Sequence, residues 1–280
     1  MSAHIFDIQR ASFVDGEGSR TTVFFKGCNL RCKWCHNPEG LKAQAQLLHY
    51  KDKCTDCKKC ERICPNNQKS CTLCGKCALL CPNDAREICG REYSLDELME
   101  IILRDKDYYL ASGGGVTFSG GECMLYVDFL QELLKLCKKE GINTAVDTAG
   151  YVPYSSFLKV IPYTNTFLYD IKCVSADLHK MGTGKDNGII LENLHSLKAA
   201  GCDITVRIPV IGGFNDTKEE ITKIAHLLKN EGINKFELLP YHNMGKHKYE
   251  ALSLDFCEYY TPTNEQIKKF DKIIRQCQVK

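Results

Sequence analysis

The apolar positions of this chain fall into short runs rich in β-branched and aromatic residues, separated by stretches with a helical period. Residues 21–25, 116–118, 144–146, 167–169, 204–206 and 236–238 read as six strands, and a further strand-like piece at 5–8 precedes a turn over 15–20. Helices are predicted over 126–140, closed by Gly141, and over 191–200, closed by Gly201. Another runs from an Asp216 cap supported by Glu219 to Gly232, and a last one spans 264–277. Ser94-Leu95-Asp96-Glu97 is a capping box ahead of Leu98, Ile101 and Ile102. Strands alternating mostly with helices predict an α/β fold of parallel units wound right-handed. A closed eight-stranded barrel needs two more units, so the expectation is an open, partial (β/α)6 barrel.

Residues 52–90 break the pattern and divide the chain into a core of 1–51 and 91–280 around an insert. Cys54-x2-Cys57-x2-Cys60-x3-Cys64-Pro65 is followed by Cys71-x2-Cys74-x2-Cys77-x3-Cys81-Pro82, a bacterial ferredoxin run written twice. In two-cluster ferredoxins the fourth cysteine of each run serves the other cluster. Cys54, Cys57 and Cys60 would then take Cys81, and Cys71, Cys74 and Cys77 would take Cys64. Only residues 65–70 separate Cys64 from Cys71, a short connection that leaves Cys89 open as a substitute ligand.

A second cysteine pattern follows the first strand: Gly27-Cys28-Asn29-Leu30-Arg31-Cys32-Lys33-Trp34-Cys35-His36. Three thiolates from one loop can hold three irons of a cubane and leave the fourth open to a substrate. A zinc knuckle is the plainer alternative, but it is usually built from paired cysteines with four protein ligands. Polar groups also recur where the other strands end: Ser119-Gly120-Gly121-Glu122, Asp147-Thr148-Ala149-Gly150, Asp170-Ile171-Lys172, Arg207-Ile208-Pro209 and Leu239-Pro240-Tyr241-His242. In barrels that end carries the chemistry, and a ring of both charge signs suits a zwitterionic ligand.

Composition narrows the setting. With 280 residues, 44% hydrophobic and 26% charged, the chain can bury one large core. A net charge of +2 without a basic face gives no case for nucleic acid or a membrane surface, and Lys51, Lys53, Lys58 and Lys59 read as solvated. Eighteen cysteines would suit a secreted disulfide framework, but Met1-Ser2-Ala3-His4 does not begin a signal peptide and no apolar run approaches a membrane span. The expectation is a reducing, cytoplasmic setting. Eleven cysteines lie in the three runs; Cys89, Cys123, Cys137, Cys173, Cys202, Cys257 and Cys277 read as core filler.

The loop resembles the signature of the radical S-adenosylmethionine (SAM) family, with Trp34 as its aromatic. The resemblance sharpens to the glycyl radical enzyme activating enzymes over nearly the whole chain. It is carried by Asp15-Gly16-x-Gly18-x-Arg20, residues 114–122, Asp147-Thr148-x-Gly150, Asp170-Ile171-Lys172, His179-x3-Thr183-Gly184, Arg207-Ile208-Pro209 and the segment from Leu239 to Tyr249. It implies three four-iron, four-sulfur clusters, one binding SAM on Cys28, Cys32 and Cys35 and two auxiliary ones in the insert. By the same resemblance Gly120, Gly121 and Glu122 meet the SAM amino group, and Lys172 and Arg207 face its carboxylate. His242 and the Trp34 to His36 backbone lie near ribose and adenine, and Asp147, Thr148 and Asp170 hold a monovalent cation. The implied activity is hydrogen abstraction from a backbone glycine of a glycyl radical enzyme, with a flavodoxin or ferredoxin as electron donor and the activase itself a monomer. A radical SAM enzyme acting on a small molecule and a ferredoxin-like electron carrier are the alternatives.

Overall fold

The computed structural model describes residues 1 to 279. The chain opens with β1 (Ser2–Ser12) and β2 (Arg20–Phe25), then β3 (Gln46–His49). Two short helices, α1 (Lys59–Ile63) and α2 (Lys76–Leu79), precede β4 (Arg86–Cys89) and β5 (Arg91–Ser94). There follow α3 (Leu95–Leu103), α4 (Lys106–Ser112), β6 (Gly115–Gly120), α5 (Val127–Lys139) and β7 (Asn143–Thr148). Next come α6 (Tyr154–Val160), β8 (Thr166–Asp170), α7 (Ala176–Thr183), α8 (Gly188–Ala199) and β9 (Ile204–Val210). The chain closes with α9 (Lys218–Asn230), β10 (Phe236–Pro240), α10 (Lys246–Ala251) and α11 (Asn264–Val279).

The six expected strands are β2, β6, β7, β8, β9 and β10, and each pairs in parallel with the next. The sheet is larger than expected. β1 pairs antiparallel with β2 and with β5, giving the order β10-β9-β8-β7-β6-β2-β1-β5, an open series with β10 and β5 at its edges. The strand-like piece at 5–8 is thus the centre of an eleven-residue strand, continued through residues whose partly exposed pattern hides the period. Every residue of β2 is buried, as a strand covered on both faces demands.

The capping box at Ser94 is present: Glu97 N donates to Ser94 Oγ at 3.2 Å and Ser94 N to Glu97 Oε2 at 2.8 Å. The cap of α9 is Thr217, not Asp216. Thr217 Oγ1 accepts from Glu220 N, whereas Asp216 turns back to accept from Gly213 N. α6 and α7, unread in the sequence, are short connections after β7 and β8. Apolar side chains of the strands and of α3, α5, α8, α9 and α11 form one core. Cys123 and Cys137 lie in that core, Cys89 and Cys173 are buried in smaller clusters, and Cys202 and Cys277 are half-buried. Cys257 departs from the core-filler reading, since the segment before α11 leaves it exposed. All eighteen cysteines are free. Among the described residues no helix is long and apolar enough to cross a membrane.

Candidate active site

β2 delivers the first cysteine loop, and three neighbours hold it. Gly27 N donates to Gly40 O at 2.7 Å and Cys28 N to Leu41 O at 3.2 Å. On the far side, Arg31 N donates to Thr183 O at 2.8 Å and Lys33 N to Gly182 O at 3.0 Å, so the end of α7 serves as the loop's backstop. A side chain at Gly182 would run into the rings of Trp34 and Phe214, whose centroids stand 4.5 Å apart. Tyr249 Oη donates to Cys35 O at 2.9 Å. Gly120 and Gly121 let β6 end directly beneath the loop. Gly121 N donates to Phe25 O and Glu122 N to Gly27 O, both at 2.8 Å, and a Cβ on Gly121 would overlap the carbonyl oxygens of Gly27 and Gly40.

A cavity of about 500 Å³ opens over the loop, a volume suited to a nucleoside-sized ligand. Cys28, Cys32, Cys35, Trp34 and His36 line one side. Gly120, Gly121, Asp147, Thr148, Asp170, Lys172, Arg207 and His242 line the rest. Lys172 Nζ donates to Asp170 Oδ2 at 2.7 Å, and Arg207 Nη1 lies 3.3 Å from Asp147 Oδ2. Ser119 Oγ donates to the same Asp147 oxygen at 2.7 Å. Burial opposes the charge on Lys172, yet Asp170 and the Cys32 thiol hold its pKa above the ordinary lysine value. Burial, against the pull of Arg207, pushes Asp147 up to about 6. His36 packs edge-on to His242 with centroids 4.4 Å apart, and burial with Lys248 nearby takes its pKa down to about 4, so the ring is neutral at pH 7.

Glu122, expected on the wall, lies behind it and is not among the lining residues. Its carboxylate accepts from Thr148 Oγ1 at 2.8 Å, Ala149 N at 3.0 Å and Met124 N at 3.2 Å, which ties the end of β7 to the end of β6. Those donors pull its pKa down, but burial wins and takes it up to about 7. Arg207 lies within β9 rather than beyond it, and it reaches the cavity because alternate residues of a strand face one side. Arg20, part of the glycine-rich pattern near the N-terminus, faces away. Its guanidinium is buried and donates to Thr117 Oγ1 and Val116 O, both at 2.7 Å, and to Asn143 Oδ1 at 3.1 Å.

In the insert the cysteines surround two smaller cavities. Cys54, Cys57, Cys60 and Cys81 line one of about 80 Å³. Cys64, Cys71, Cys74 and Cys77 line another of about 130 Å³, with Cys60 reaching its edge. Cys89 lines neither, being packed with Leu48 and Ala251 between the insert and the core. Backbone amides donate to thiol sulfurs, Gln68 N to Cys64 at 3.1 Å and Ala85 N to Cys81 at 3.2 Å. Among the described residues no three His, Cys, Asp or Glu side chains converge as a single metal ion requires. A cubane spaces its thiolates wider, because each one binds a different iron.

Residues 22–228 match the radical SAM superfamily. The chain belongs to that superfamily. This radical SAM protein is 41% identical over 290 aligned residues to the trans-4-hydroxy-L-proline dehydratase activating enzyme of Clostridioides difficile, covering 98% of this chain and 96% of the relative. It is 36% identical to the pyruvate formate-lyase-activating enzyme of Clostridium pasteurianum, covering 97% of both. The crystal structure of a domain of the pyruvate-formate lyase-activating enzyme from Bacteroides vulgatus superposes with a TM-score of 0.51 at 29% identity, over 59% of this chain and 94% of that one. The chain is therefore a radical SAM enzyme of the activating-enzyme kind, and its family implies a four-iron, four-sulfur cluster and SAM.

The residues present fit both groups. Three thiols of one loop face one cavity, Leu30 N donates to Cys28 Sγ at 3.4 Å, and burial pushes the Cys28 and Cys35 thiols up to about 12, a setting that favours thiolates only beside a cation. Opposite them stand two carboxylates and two cations, the complement of an amino acid head group. Sequence reading gave no role to several lining residues, among them Asp15, Lys248 and Tyr241. Asp15 stands 3.8 Å from Arg207 but looks like part of a turn. Lys248 pairs with Glu39 and donates to Asn37 Oδ1 at 2.9 Å. Tyr241 has a buried hydroxyl without a partner among the described residues.

Proposed function

We propose that this protein activates a glycyl radical enzyme by taking a hydrogen atom from one backbone glycine of that partner. The observation that carries the reading is the single cavity onto which the cysteine loop and both charge signs open. When bound, the cluster would supply one electron that splits SAM into methionine and a 5′-deoxyadenosyl radical, which takes the glycine hydrogen. Lys172 and Arg207 hold the SAM carboxylate, and the backbone at Gly120 and Gly121 meets its amino group. Turning to that carboxylate loosens their present pairing with Asp170 and Asp147, leaving oxygens there and at Thr148 for a monovalent cation. His242 and the backbone from Trp34 to His36 border the adenosine. Glu122 fixes the floor through Thr148 and Ala149. The open sheet and the exposed Phe13 and Val14, the latter lining the cavity mouth, favour a peptide segment over a small molecule.

Residues 52–90 act in this reading as a module for two auxiliary clusters with exchanged fourth ligands, supported by the sorting of Cys81 with the first run and Cys64 with the second. A flavodoxin or ferredoxin feeds them. Anaerobic mixing with reductant, SAM and a candidate partner should give a glycyl doublet in electron paramagnetic resonance, and Cys32→Ala should abolish both the doublet and SAM cleavage. SAM cleavage without a doublet on any partner would point to a small-molecule substrate instead. Full cleavage by Cys32→Ala would remove the assignment of the loop.

A further inference from the structure

Two polar side chains, His49 just before the insert and Arg86 within it, line its cysteine cavities, and among the described residues neither has a side-chain partner. His49, the last residue of β3, lines the cavity of Cys54, Cys57, Cys60 and Cys81. Its Nε2 is buried and has no hydrogen-bond partner among the described residues, which is unfavourable unless something in that cavity pairs with it. Arg86 sits opposite His49 in the β3–β4 ladder and lines both cysteine cavities. The adjacent acid, Glu87, accepts from Tyr50 instead, and among the described residues Arg86 has no ion-pair partner. Burial raises the Cys77 thiol and Arg86 opposes that rise; burial and Arg86 together lower His49. A half-buried cation shared by two cavities, beside a buried unpaired ring nitrogen of a residue lining one of them, is an arrangement with no evident purpose in holding the hairpin together.

We propose that Arg86 and His49 are positioning residues that set the reduction potentials of the two auxiliary clusters, Arg86 acting on both and His49 on the first alone. The inference rests on reading the insert as a two-cluster module. On reduction by a one-electron carrier a cluster gains one electron and its charge falls by one unit. A cation or an N–H donor beside it therefore stabilises the reduced form more than the oxidised form. Arg86 lines both cavities, whereas His49 lines only the first.

The test is a redox titration of the anaerobically reconstituted full chain, followed by electron paramagnetic resonance. Signals are assigned with Cys57→Ala and Cys74→Ala, which remove one cluster each. Arg86→Gln should lower both midpoint potentials, by about a tenfold change in the reduction equilibrium or about 59 mV for one electron. Arg86→Lys, which keeps the charge, should stay near the parent. His49→Phe should lower the first potential and leave the second, and Arg91→Gln, remote from both cavities, should move neither. The inference is overturned if Arg86→Gln moves only one potential or none, or if His49→Phe moves both alike, while each variant retains about twelve irons. If Arg86→Gln loses iron, Arg86→Lys decides: a potential unlike the parent's overturns the inference. A parent chain that binds only about four irons would defeat the two-cluster reading itself, a separate result.

Discussion

At the scale of single residues, the candidate site is governed by how closely backbone and side chains approach beneath the cysteine loop. Gly121→Ala would force the new methyl into two carbonyl oxygens, and overpacking of this kind costs about 1–3 kcal/mol. We expect a lower Tm and impaired SAM cleavage, whereas Gly113→Ala, with open space around its Cβ, should cost only its positive φ and leave cleavage intact. Glu122 makes a pH-dependent contribution. Its carboxyl is raised to about 7, so the stability of the neutral buried form is complete below the ordinary glutamate range and is lost as pH rises through about 7. Between about pH 5 and 8 the parent's Tm should therefore fall relative to that of Glu122→Gln, and parallel curves in differential scanning fluorimetry would refute the shift. Most lining residues were legible because unusual polar groups recurred at strand ends. The retreat of Glu122 was not, because Thr148 and Ala149, which draw it inward, lie at and just past the end of the next strand.

At the scale of elements, sequence signals worked where a local contact decides the structure. The Ser94 box is such a case, since both of its hydrogen bonds join residues three apart. For α9 two caps competed within adjacent residues, and Gly213 N claimed the Asp216 carboxylate. Thr217→Ala should consequently cost about 1 kcal/mol in denaturant unfolding, and Asp216→Ala should leave the α9 cap itself in place. β5 was beyond sequence reading because its four residues become a strand only against β1, which is remote in the chain. The same holds for α6, too short to show a full helical period.

At the scale of the whole molecule, the core and the insert are read as dividing the work between SAM chemistry and electron supply. Changing Cys57 and Cys74 together to Ala should preserve SAM cleavage with a chemical reductant and lower the iron content. With a flavodoxin or ferredoxin donor, activation of the partner should slow. Equal activation rates for variant and parent with such a donor would show that the insert serves folding or docking instead. The parallel core was readable from the strand and helix alternation, and the duplicated run suggested the grouping of Cys81 with the first run and Cys64 with the second that the two cavities show. That Cys89 stands apart was not, because its burial depends on Leu48 and Ala251, far along the chain on either side.

The ladder of β3 and β4 runs from Gln46 opposite Cys89 to His49 opposite Arg86, so the chain leaves the core and returns to it through neighbouring residues. The segment between His49 and Arg86 is entered and left through that doorway, with Tyr50 packed back against the core beside Ala251 and Leu252. Excised, it leaves a gap that a two-residue Asn-Gly turn closes. Such a segment can be acquired by one insertion into a simpler ancestor, and a protein engineer can exchange it for any module whose two ends lie as near to each other.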